Sequence, residues 1–153
     1  MRLRHSLSLA FRKKLKCIIL IDKRIKHPPL FMANIIQREV FIMEYKRFGN
    51  TIYLRLDPKE EILEEIGKVA KKENIRLAQV TGLGAINDFT AGVYNTVTKE
   101  YHSIQFQGAF EIVSLTGTVT RKDGDVYLHL HIAAGDEKGH VHGGHLNRAI
   151  ISA

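Results

Sequence analysis

Five of the eight histidines fall within 17 positions, as His129, His131, His140, His142 and His145. Imidazole ligates transition metals at neutral pH and is the side chain whose charge changes nearest to it. His129 and His131 lie in Val126-Tyr127-Leu128-His129-Leu130-His131-Ile132-Ala133, where apolar residues alternate as in a half-buried strand. In an extended chain Val126, Leu128, Leu130 and Ile132 share one face, and Tyr127, His129, His131 and Ala133 share the other. Residues two apart on a strand are about 6.6 Å from each other. Two imidazoles can close that gap around one ion, with bonds of about 2.0–2.1 Å.

A third ligand has to come from elsewhere. His145 is the first candidate, because Gly143-Gly144 before it would let a loop fold tightly back toward the strand. His142 and His140 are substitutes. Three neutral imidazoles with an open fourth position would suit zinc or another divalent ion, which could lower the pKa of bound water or hold an anion. Glu111 is then a candidate to orient a ligand or act as general base. The competing reading is that alternating histidines face solvent or pair across an interface, and spacing alone weighs the two evenly.

Gly124, His129, His131 and Glu137 also come near a cupin-like metal motif. This favours a second function, a metal-dependent enzyme acting on a small molecule, with Glu111 or Asp136 assisting. Cupins are β-barrels, however, and a helix starting at Pro58 fits one badly. Gly82-Leu83-Gly84 lacks the third glycine and the helix of a dinucleotide-binding turn and reads as a plain turn. Neither a P-loop nor G-x-S-x-G occurs, and Ser114 reads as a strand residue. The lone Cys17 excludes an internal disulfide and a zinc site of several thiolates within one chain. His5, His27 and His102 read as ordinary surface or extension residues.

The elements that would carry these side chains follow from periodicity. Tyr45 to Arg55 alternates around Gly49-Asn50, as a hairpin does. Asp57 can cap a helix over 58–74, with Pro58 at its first position, Glu60 completing a capping box and Glu61, Glu64 and Glu65 favouring the amino-terminal dipole. Ile62, Leu63, Ile66, Val69 and Ala70 form its apolar stripe, and Lys71, Lys72 and Asn74 suit its end. Leu77–Val80, Phe89–Tyr94, Tyr101–Phe106, Phe110–Arg121 and Val126–Ala133 read as strands, the last two joined by the hairpin turn Asp123-Gly124. One main helix with such strands makes an α+β domain with a mostly antiparallel sheet. Ala149 to Ala153 reads as a strand in progress, so a last partner strand is expected to be missing.

The 153 residues, 44% hydrophobic, suffice for one core. The net charge of +7 suggests nucleic acid until it is located. Residues 1–42 hold ten Lys or Arg against Asp22 and Glu39, whereas 43–153 hold 13 basic against 14 acidic residues. Residues 1–42 therefore read as a basic leader outside the fold, with a domain over 43–153. Codons for Arg38-Glu39-Val40 can form a purine-rich ribosome-binding stretch ahead of Met43, which would make Met43 the start. A transit peptide and a nucleic-acid arm are the alternatives. The apolar runs are too short to span a bilayer.

Gly82-Leu83-Gly84, Tyr101, Gly108-Ala109-Phe110-Glu111-Ile112-Val113-Ser114-Leu115-Thr116-Gly117, His129-Leu130-His131 and Gly143-Gly144-His145-Leu146, in that order, resemble the plant and prokaryote conserved (PPC) domain over about residues 45–153. The resemblance implies a bent antiparallel sheet, a homotrimer, and a stand-alone cytoplasmic bacterial protein that binds DNA. It also implies a metal held by His129, His131 and His145. The Arg-Gly-Arg-Pro core of an AT-hook is absent. DNA binding would thus need a local patch such as Lys46, Arg47, Arg55, Arg76 and Lys99, residues that otherwise read as solvated surface.

Overall fold

The computed structural model describes residues 17–22 and 43–153. Its elements are β1 (Cys17–Asp22), β2 (Glu44–Phe48), β3 (Thr51–Leu56), α1 (Ile62–Lys72), β4 (Ala78–Tyr94), β5 (Tyr101–Lys122), β6 (Asp125–Asp136) and β7 (Val141–Ile151). The strands form one sheet in the order β2-β3-β1-β4-β5-β6-β7, and β7 pairs again with β4. Every pairing is antiparallel. The expected α+β class holds.

The return of β7 to β4 sets the shape. One edge of β4 pairs with β5 along its length, while the other pairs first with β1 and then with β7. Strands β4, β5, β6 and β7 thereby close on one another, and the sheet must curve to allow it. Register shifts at Gly82/Gly84 and Ile86/Asp88 in β4, and at Ile112/Ser114 in β5, sit along the curve. Gly82-Leu83-Gly84 is therefore not a turn. It is an irregularity inside β4, which runs unbroken through the two shorter strands expected there. Tyr101–Phe106 and Phe110–Arg121 likewise merge into β5.

Helix α1 lays Ile62, Ile66, Val69 and Ala70 onto the concave face, where they meet Ile52, Leu54, Leu56, Val80, Leu130 and Ile132 in one buried cluster. The helix is shorter than 58–74. Lys59 takes a φ of 80°, which a right-handed helix cannot include, so Asp57 to Glu60 forms a turn and Glu61 becomes the N-cap. Glu60 still makes half of a capping box, its Oε2 accepting from the Asp57 backbone N–H at 2.7 Å. The Asp123-Gly124 turn appears as expected, with φ of 52° and 87° at its centre.

β1 is a finding against expectation. Residues 1–42 were expected to lie outside the fold, yet Cys17–Asp22 stands between β3 and β4, with Ile19 and Ile21 fully buried. The physical reason is its apolar run, which offers alternate side chains to the core and a full ladder to two neighbours. The expectations resting on His5, His27 and Arg38-Glu39-Val40 fall outside the described residues. Among the described residues no helix is long and apolar enough to cross a membrane.

Candidate metal centre

His129 and His131 stand on the convex face of β6, because Leu130 and Ile132 turn inward. Their neighbours on β5 are Thr118 and Thr116, so the surface around them is polar. His145 arrives from β7. It does so not on a loop but in register, directly opposite His131, with Gly143 and Gly144 paired inside the strand against Ala133 and Ile132. Cross-strand partners project to the same face with Cβ atoms about 4.5–5.5 Å apart. That register brings the third imidazole to the first two.

The three rings form a tight group. Each offers one nitrogen such that all three atoms lie within 4.8 Å of one another. The Nε2 atoms of His129 and His131 are 3.3 Å apart. In a tetrahedral centre with bonds of about 2.0–2.1 Å, two ligand nitrogens stand about 3.3–3.4 Å apart, so this pair already has the spacing of one coordination edge. Ring centroids of His145 lie 5.1 Å from His129 and 5.5 Å from His131. Burial, with smaller contributions from the charges of His129 and His131, lowers the pKa of His145. The donor set, three imidazoles open to solvent on one side, fits a borderline divalent ion.

The other candidates lie elsewhere. His142 is stacked on Phe106 at 4.7 Å between centroids, with Phe110 edge-on at 6.2 Å. His140 holds Asp136, its Nδ1 3.2 Å from Oδ2. Their position explains this: His142 pairs with Ala134, three residues along β6 from His131 and on the other face, and His140 precedes β7. Glu111 pairs with Gly135, about 13 Å along the strand from His131 at about 3.3 Å per residue. It lines a separate cavity of about 370 Å³ with Phe110, Asp136, Glu137 and Ser152. Glu111 lies apart from His129, His131 and His145, Asp136 is held by His140 instead, and His102 sits against Glu100 at 3.4 Å.

Two residues beside the triad were not singled out as site residues by sequence. Tyr101, at the start of β5, places its ring edge-on to His145 at 6.3 Å and donates its hydroxyl to Asn147 Oδ1 at 2.8 Å. The contact joins positions 46 apart, and no local spacing announces it.

The basic patch is largely engaged. Arg47 pairs with Glu73 at 3.5 Å, and Arg55 with Glu44 at 3.0 Å and Asp57 at 3.4 Å. Lys46 lies over the ring of Phe48.

The profile of the Plants and Prokaryotes Conserved (PCC) domain matches residues 43–153. A search of curated proteins finds no match. Among solved structures, one from Bacteroides thetaiotaomicron, described as a "putative dna binding protein", is 32% identical with a TM-score of 0.70, over 72% of this chain and 78% of its own. A PPC protein from Pyrococcus horikoshii is 32% identical with a TM-score of 0.61, over 74% of this chain and 78% of its own. A protein from Archaeoglobus fulgidus described as metal-containing is 31% identical with a TM-score of 0.63, over 75% and 79%.

Proposed function

The chain belongs to the Plants and Prokaryotes Conserved domain family, and on that premise we propose that it is a regulatory protein that holds a divalent ion, of the zinc class, and associates with DNA. The ion's ligands are His129, His131 and His145. The single observation carrying this reading is the 3.3 Å spacing of the His129 and His131 nitrogens, with the third imidazole inside the same 4.8 Å group. The metal-containing relative from Archaeoglobus supports the metal, and the description of the Bacteroides relative supports the DNA partner. When bound, the ion supplies a Lewis-acidic centre with an open position toward solvent.

The chain's own residues favour binding over turnover. A hydrolase needs a general base within hydrogen-bond reach of the reacting water. Glu111 lines a different cavity and Asp136 is engaged by His140, so the enzyme reading lacks the two carboxylates it was built on.

Elemental analysis beside native mass, on the full chain, is the test. About one ion per chain, lost in the His129→Ala/His131→Ala double variant, is expected, in a particle of three chains. Metal-free protein after growth and dialysis with zinc would end the metal assignment. For the DNA component, duplex mobility should shift at low salt and the affinity should fall linearly on a log–log plot as salt rises. A duplex whose mobility is unchanged by micromolar protein would remove that component.

A further inference from the structure

We propose that Tyr101 is a positioning residue for His145, and that Gly92 exists in this chain to let it be one. This inference rests on the metal reading above. Gly92 of β4 pairs with His145 of β7 and with Ser103 of β5, so it lies in the floor beneath the third imidazole. A Cβ built on Gly92 would stand 2.8 Å from Tyr101 Cε1 and closer still to Cζ and Oη. The tyrosine ring therefore lies across Gly92, in the volume a side chain there would fill.

From that seat the ring does two things. It meets His145 at an interplanar angle of 83°, the edge-to-face arrangement that aromatic quadrupoles favour. Its hydroxyl donates to Asn147, two residues beyond His145 on the same strand. Tyr101 thus grips β7 on a residue next to the ligand's own turn of pleat while its ring abuts the ligand itself. His129 and His131 have each other across 3.3 Å, but they are exposed, whereas His145 is partly buried and comes from another strand. A ligand from a different strand needs its own fixing to meet the pair. Outer residues that orient a metal-bound imidazole typically contribute 10–100-fold in metal affinity.

Cobalt(II), titrated into the full chain and followed by its visible absorption, reads the consequence. Tyr101→Ala should weaken cobalt binding about 10–100-fold and change the spectrum. Tyr101→Phe, which keeps the ring and loses the hydroxyl, should lose less. Gly92→Ala should behave as Tyr101→Ala, because its methyl meets the far end of the tyrosine side chain and displaces it. Imidazole proton signals recorded on the metal-free protein keep the two levels apart. There, Tyr101→Ala should shift and broaden the His145 resonances while those of His142 stay in place. Unchanged His145 signals, or an unchanged cobalt affinity in a folded Tyr101→Ala protein, would overturn the positioning role. A wild-type protein that leaves cobalt unbound while its His145 signals respond to Tyr101 would instead overturn the metal reading and keep Tyr101 as what orders that imidazole.

Discussion

Gly144 shows how little room surrounds the three imidazoles. A Cβ there would stand 2.6 Å from the carbonyl oxygen of Gly92, a backbone atom that cannot swing aside. Gly144→Ala should therefore force β4 and β7 apart and cost about 1–3 kcal/mol, as overpacking does, readable as a lower urea midpoint. A second prediction concerns acid. Hydrogen bonds from Gln105 and Arg148, with the charge of Arg148, hold the Asp88 carboxyl below the usual range. Its unfolded value is about 3.9, so its contribution is present above that pH and is lost as pH falls through the lower native value. Asp88→Asn should flatten the acid limb of the stability curve, modestly because the site is partly exposed. Wild-type and variant curves that run parallel below pH 4 would refute it. At this scale the alternation that puts His129 and His131 on one face was readable from residue types, and His145 was the first of three candidates to join them. His140, His142 and Glu111 lie apart from the three imidazoles, because spacing along the chain does not give the register between strands that decides which residues stand opposite one another.

Two elements carry the site without touching it. Glu61 caps α1 by accepting from the Glu64 N–H at 2.7 Å, and its other oxygen accepts from the Ala149 N–H of β7 at 2.9 Å. Glu61→Ala removes both bonds and should cost about 1–2 kcal/mol in denaturant unfolding. An unchanged midpoint would mean that water replaces the cap at no cost. β1 makes a sharper case. Ile21 pairs with Ile52 and Val80 and is fully buried. Ile21→Ala in the full chain should cost about 2–5 kcal/mol, as for other large-to-small core changes. Were Cys17–Asp22 detached from the sheet, the same change would leave the melting curve where it was. The apolar run of β1 was visible as a run, but its setting among ten basic residues over positions 1–42 argued for a leader. Composition averages over a segment, whereas a strand needs only six residues and an open ladder. The helix start moved for a comparable reason: Asp57-Pro58 is a good cap locally, yet the backbone at Lys59 and the pairing of Glu61 with Ile150 fix the entry to α1.

For the whole molecule, charge and closure matter most. Over residues 43–153 basic and acidic residues nearly cancel, and Arg47 and Arg55 already face carboxylates. DNA association should thus be weak, with a shallow log–log dependence on salt that reflects few phosphate contacts. A slope near zero with retained affinity would point to a contact that is not electrostatic. By itself the sequence determined what local periodicity and residue type can carry: the α+β class, the apolar stripe of the helix, the Asp123-Gly124 hairpin, and two imidazoles on one side of one strand. These depend on neighbours within a few positions, where the periods of 2 and 3.6 act directly. Only the tertiary structure decided that β7 closes back onto β4, that His145 meets His131 in register, that Tyr101 lies across Gly92 beside them, and that Cys17–Asp22 enters the sheet. Each of those is a long-range pairing, selected by which ladder and which buried face remain open once the rest of the chain has folded.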